Sequence, residues 1–269
     1  MDTKQLIRQT ELFLFDMDGT LYLGDRLFDF TKELLEVIKK TGRRYMFMTN
    51  NSSKSAAAYV DKLAKMGIAA TTEEMETSSQ ATAFYLEKHH KNDVLYLSGT
   101  RSFCEEIASY GFRIAKAPDE ATCIVMGFDT ELTFQKLEIL SRLLCTKDLP
   151  YIAANPDYVC PTEFGSVPDC GSVSDMLYNV SGKRPVFIGK PSALMPTLAM
   201  EKADVSPEKT AVIGDRIYTD VKSGLNAGCT AILVMSGETT EEILAASADK
   251  PTLVMDSAAE ILEILKEEL

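Results

Sequence analysis

The sequence predicts an α/β protein with mostly parallel sheets. Short apolar runs alternate with amphipathic stretches nearly throughout the chain. The runs are continuous, as in strands covered on both faces. The residues just past four of them are Asp, Thr/Asn, Lys and Asp, and ligands gather beyond the C-terminal ends of parallel strands.

The first run, Leu12–Phe15, passes directly into Asp16, Asp18, Gly19 and Thr20. In the helical stretch "DFTKELLEVIKKTG" after it, Leu34, Leu35 and Ile38 share a face and Gly42 supplies a stop. The next strand, Arg44–Thr49, meets Asn50 and Asn51. "KSAAAYVDKLAKMG" then repeats the helical spacing with Val60, Leu63 and Ala64 before Gly67. Further strands are predicted at Val94–Leu97, Ile124–Gly127, Tyr151–Ala154, Val186–Ile188, Ala211–Ile213, Ala231–Val234 and Thr252–Met255. Helices are predicted in "TFQKLEILSRLLC" and "SAAEILEILKEEL". Ile188 leads into Gly189, Lys190 and Pro191, and Ile213 into Gly214, Asp215 and Arg216.

The middle of the chain differs. Its strand ends, "SGT", "GFD" and "NPD", are bland, and "NPDYVCPTEFGSVPDCGS" reads as a long irregular loop of the kind that is usually functional or disordered. The contrast predicts a discontinuous core, residues 1–80 plus 183–269, with an inserted α/β domain at 81–182.

The bulk composition excludes several classes of function. The 269 residues are 45% hydrophobic and 25% charged, with a net charge of −12. A field of that sign repels phosphate backbones, so no nucleic-acid partner is expected. An anionic substrate would need a local positive centre. The apolar stretches fall far short of the roughly 20 residues of a membrane span, and "MDTKQLIRQTELF" has no secretory hydrophobic region, so the expectation is a cytoplasmic protein with no membrane partner. The six cysteines form no CxxC pair or zinc spacing and read as reduced thiols. His89 and His90 read as solvent-facing residues near a helix C-terminus. The sequence leaves a homo-oligomer open.

Charge balance carries the chemistry. Asp16, Asp18, Asp215 and Asp220, if close and ionised, hold more negative charge than Lys190 can offset. The remainder demands a cation, and an all-oxygen set favours Mg²⁺ over zinc. A cation and a lysine converging on an aspartate form the missing positive centre, and its natural ligand is a phosphate. Asp16 can attack phosphorus to give an aspartyl phosphate, with Asp18 as proton donor to the leaving oxygen and then as base towards water. Thr49 and the N–H groups after it can hold phosphoryl oxygens, and Lys190 offsets charge in the transition state. Gly19 and Gly214 are expected to let the backbone turn sharply beside metal and ligand.

"DMDGT" after an apolar strand, then "MTNNS", "GKP" and "GDRIYTD" in that order, resemble the haloacid dehalogenase (HAD) superfamily. The nearest branch is the NagD-like, p-nitrophenylphosphatase-type hydrolases. The resemblance spans the chain. It implies a Rossmann-like core with a parallel sheet and an inserted α/β cap domain. It implies Mg²⁺ held by the Asp16 carboxylate, the Asp18 main-chain carbonyl and Asp215, with Asp220 in support. It also implies phosphate contacts from Thr49, Asn50 and Lys190. Asn51 reads either as a further substrate contact or as a turn former. Relatives often carry Pro-Gly-x-Gly-Ser in the cap loop where this chain has "PDCGS", so Asp169 stands in place of a glycine. Asp169 and Ser172 are expected to help shape the substrate pocket.

The expected function is Mg²⁺-dependent hydrolysis of small phosphorylated metabolites. A phosphotransferase or mutase with the same nucleophile is the first alternative, and a non-catalytic phosphometabolite-binding or signalling protein the second.

Overall fold

A computed structural model describes residues 2–162 and 164–269. The chain forms two compact units. One comprises the residues up to Thr49, Val60–Glu76 and Lys190–Leu269, and the other comprises Asn50–Tyr59 and Thr77–Gly189. The edges differ from the division expected from sequence, because residues 50–59, 77–80 and 183–189 group with the inserted unit. At the second junction the reason is backbone pairing: Val186–Phe187 joins the strand Tyr151–Ala153 as a parallel neighbour. No helix among the described residues is long and apolar enough to cross a membrane.

The first unit is built on a six-stranded sheet in the order Leu253–Met255, Thr230–Val234, Thr210–Gly214, Leu12–Phe15, Arg44–Thr49, Met75–Thr77. The first five pair in parallel. All four residues of Leu12–Phe15 are fully buried, which explains the unbroken apolar run. Each such side chain contributes about 1.5–3 kcal/mol of burial free energy. The helix Thr31–Lys40 buries Leu34, Leu35, Val37 and Ile38, carries Lys39 and Lys40 in its last turn, and is followed by Gly42 at φ +76°. Leu12–Phe15 has the sheet's next strand in sequence, Arg44–Thr49, on one side and Thr210–Gly214 on the other. Chain order therefore reverses there, which opens a crevice at the strand ends. In register, Phe15 faces Phe47 and Ile213. The residues after these three thus leave the sheet side by side.

The inserted unit has its own five-stranded parallel sheet, in the order Val186–Phe187, Tyr151–Ala153, Cys123–Met126, Val94–Ser98, Arg113–Ile114. Its core gathers Ile124, Met126, Leu140, Leu143, Tyr151 and Leu177. The stretch expected to be an irregular loop contains an antiparallel pair, Val159–Thr162 with Gly165–Pro168, and then the helix Cys170–Ser181. Prolines and a largely exposed face hid the hairpin, since such strands have no buried stripe to read. A second hairpin, Tyr22–Leu23 with Arg26–Leu27, turns on Gly24 and Asp25. His89 is exposed, as expected, and His90 pairs with Asp93 at 3.0 Å.

One buried acid in the first unit titrates unusually. Glu76 is fully buried; one oxygen pairs with Lys202 and the other, Oε1, has no hydrogen-bond partner. Burial pushes its carboxyl up to about 6, against the pull of Lys202. An acid whose folded pKa is raised binds its proton more tightly in the native state, so stability is lost as pH rises from 4.5 to about 6. Relative to Glu76→Gln, the parent protein is expected to lose ~2 kcal/mol of stability between about pH 4 and about pH 7. Paired denaturation curves across that range check this; a difference independent of pH would refute it.

Candidate active site

Asp16 continues the central strand, donating its N–H to Ile213 O at 2.8 Å, and its side chain is largely buried. Lys190 Nζ, 3% exposed, donates to Asp16 Oδ1 at 2.7 Å, Asp220 Oδ1 at 2.6 Å and Met48 O at 3.2 Å. One ammonium thus joins two strand ends and the turn that follows a third strand. Asp220 lies on a single π-helical turn, Ile217–Val221, a form that often marks functional positions. Its Oδ2 accepts the N–H of Arg216 at 3.1 Å. Thr49 is buried at the end of its strand, one residue past the carbonyl that Lys190 holds.

Asp215 completes the cluster. Its Oδ2 accepts the Glu238 N–H at 2.7 Å, while Oδ1 is buried with no hydrogen-bond partner. Asp16, Asp215 and Asp220 each offer an oxygen within 4.8 Å of the others. A bare, buried oxygen among three carboxylates and no sulfur or imidazole fits a hard divalent cation. The protonation states point the same way. Burial, with Asp220 and Asp215 nearby, pushes Asp16 up to about 8 despite Lys190. Burial and Asp220 push Asp215 up to about 6. Burial alone would lower Lys190, but Asp16 and Asp220 outweigh it and hold the ammonium above its ordinary pKa. Burial thus favours the protonated forms of Asp16 and Asp215.

Asp18 stands outside the three-carboxylate cluster, with its side chain open to solvent. The protein packed around its carboxyl nevertheless raises its pKa, against the pull of the Gly24 N–H, Lys62 and Arg216. That suits a group that must carry a proton. Its loop is tightly folded: Gly19 N donates to Tyr22 O at 2.7 Å and Leu21 N to Met17 O at 2.9 Å. Gly19 has φ +82°, and a Cβ there would stand 2.5 Å from Asp215 Oδ2. The expected sharp turn is therefore present at Gly19. Gly214 is outside the positive-φ region, and its requirement is space instead, since a Cβ would collide with the Asp220 carboxyl group.

The remaining residues named from sequence belong to the inserted unit. Asn50 Nδ2 donates to both Asp157 oxygens, at 3.1 and 3.2 Å, and its carbonyl accepts from Ser78 Oγ and Asn155 Nδ2. Asn51 Oδ1 accepts from Ser53 N and Ser53 Oγ, the turn-forming alternative. Asp169 is buried and caps the helix Cys170–Ser181, accepting the Cys170 N–H at 2.5 Å. Ser172 Oγ donates to Tyr158 O at 2.5 Å. Asp169 thus satisfies one of the N–H groups that a helix start leaves without a partner, and Ser172 ties the first turn of the helix to the Tyr158 carbonyl. Sequence reasoning passed over Glu238 and the role of Arg216. Arg216 lies inside "GDRIYTD". Glu238 lies just past a fifth apolar run, Ala231–Val234, and that position is the one signal that could have found it.

Family models match twice: a haloacid dehalogenase-like hydrolase over residues 13–113, and a HAD-hydrolase-like model over residues 187–261. The chain is 33% identical to the 5'-nucleotidase YutF of Bacillus subtilis over 92% of its own length and 96% of that protein's. The chain belongs to the haloacid dehalogenase superfamily. Among solved structures, the 4-nitrophenylphosphatase of Thermotoga maritima matches with a TM-score of 0.91 at 38% identity, over 96% of this chain and 98% of that one. NagD of E. coli K-12 matches with 0.84 at 25% identity, over 93% and 98%. The protein is a NagD-like, HAD-type phosphatase with the α/β fold of that superfamily. In this phosphatase the four motifs read from sequence supply Asp16, Met48 O, Lys190 and Asp220 to one connected group.

Proposed function

We propose that this phosphatase hydrolyses small phosphorylated metabolites in the cytoplasm, with Mg²⁺, through an aspartyl phosphate on Asp16. The observation that carries the reading is the joined cluster of Asp16, Lys190, Asp220 and Asp215 with its bare buried oxygen. Asp16, Asp215 and Asp220 would hold the ion, with the Asp18 main-chain carbonyl as the resemblance implies. Bound Mg²⁺ supplies charge that polarises the phosphoryl group and keeps the carboxylates ionised.

An Asp16 oxygen attacks phosphorus as the bond from phosphorus to the ester oxygen breaks, and Asp18 passes its proton to that leaving oxygen. Asp18, now ionised, then takes a proton from the water that attacks the aspartyl phosphate, releasing inorganic phosphate and restoring Asp16. Lys190 offsets negative charge throughout, and Thr49 binds a phosphoryl oxygen. Asn50 is proposed as a further phosphate contact. The inserted unit, Asn50–Tyr59 with Thr77–Gly189, is proposed as the cap that limits bulk water and large substrates.

The test is phosphate release from p-nitrophenyl phosphate, sugar phosphates and a nucleoside 5'-monophosphate. A chelator is expected to cut the rate by at least ~10²-fold and Mg²⁺ to restore it. Hydrolysis that resists the chelator would sink the metal assignment.

A further inference from the structure

We infer that the turn Ser236–Glu238 is a brace that aims the Asp215 carboxylate at the metal position, with Glu238 as its positioning residue. This rests on the reading that Asp16, Asp215 and Asp220 hold Mg²⁺.

The turn comes after the strand Thr230–Val234, next to the strand that ends in Gly214. Glu238 grips the Asp215 loop at three points. Its N–H binds Asp215 Oδ2 at 2.7 Å, its Oε2 pairs with Arg216 Nε at 2.8 Å, and its Oε1 accepts the Tyr218 hydroxyl at 2.7 Å. Thr239 N adds a bond to Asp215 O at 3.2 Å. Ser236 Oγ reaches the other loop of the cluster, donating to Gly19 O at 2.7 Å. Gly237 brings backbone against Asp215 so closely that a Cβ would overlap the carboxylate.

The consequence lies in the two oxygens of Asp215. The side-chain bonds to Arg216 and Tyr218 keep the Glu238 N–H on Oδ2, so the carboxylate cannot rotate without losing a charge-assisted bond, and Oδ1 stays bare and buried among the other carboxylates. Partners of this kind orient metal ligands, and their loss typically costs about 10–100-fold in metal affinity. The competing reading is an ordinary surface ion pair, since the Glu238 side chain is 37% exposed. Such a pair contributes little to stability and nothing to metal affinity. The two readings therefore separate by experiment.

The probe is Mn²⁺, followed by the spin-resonance signal of the free ion, with wild type, Glu238→Ala and Glu238→Gln. Wild type is expected to bind, Glu238→Ala to bind ~10-fold more weakly, and Glu238→Gln, whose amide oxygen keeps one acceptor, to fall between. Metal-free melting temperatures should agree within ~2 °C, as for loss of a surface pair. The Mg²⁺ level for half-maximal activity should rise in step. Wild-type affinity in Glu238→Ala would overturn the brace. Weakened binding matched by a clearly lowered metal-free melting temperature in both variants would overturn it too. Wild-type protein that takes up no Mn²⁺ would instead overturn the metal reading beneath it.

Discussion

Asp16→Asn is expected to lower kcat by at least ~10⁴-fold, to the level left when a nucleophile is lost and binding alone remains. The amide is close in shape and its oxygen can still accept from Lys190, which bonds Asp16 Oδ1 at 2.7 Å and keeps Asp220 at 2.6 Å. The ion pair is thus only partly dismantled and the fold should survive. The loss is the anionic oxygen that bonds to phosphorus. Steady-state assays with p-nitrophenyl phosphate give the rate, and acid quenching with radiolabelled substrate reports covalent phosphate. The parent protein should trap label and the variant none. Near-normal turnover, or label retained in the variant, would place the nucleophile elsewhere.

Asp18→Asn is expected to cost ~10²–10⁴-fold in kcat, the usual range for a general acid–base group. Its signature depends on the leaving group. p-Nitrophenolate departs without a proton, so the first half-reaction should proceed and then stall, because nothing activates water. One equivalent of nitrophenolate per site should appear in a burst, with slow turnover after it. An alkyl phosphate needs the proton from the start and should give no burst. The protein packed around the Asp18 carboxyl raises its pKa, the direction that suits a leaving-group acid. Equal losses on both substrates with no burst would reduce Asp18 to a positioning role.

Both predictions rest on residues that could be named from residue order. A strand buried on both faces must be apolar along its length, so Leu12–Phe15, Arg44–Thr49, Thr210–Gly214 and Thr230–Val234 announce themselves. Residues just past the end of a buried strand are freed from that demand, and there a carboxylate or lysine is conspicuous. Hairpins were harder. Val159–Thr162 and Gly165–Pro168 lie largely in solvent and need no apolar stripe, so nothing marked them as strands. Asp169 shows a third limit. A carboxylate in a loop reads equally as ligand contact or helix cap, and only its bond to the Cys170 N–H shows that it caps.

Residue order was enough to establish the α/β class, the four chemical strand ends and the charge deficit that calls for a cation, because each comes from local burial or from electrostatics summed over side chains. It could not establish distances. Folding supplied three things no neighbouring residues reveal: one ammonium shared by Asp16, Asp220 and Met48, an Asp215 oxygen stripped of partners, and the turn at Glu238 that holds it so. A bond between groups 174 positions apart, such as Lys190 to Asp16, depends on sheet order and register, and those are settled by the packing of the whole chain.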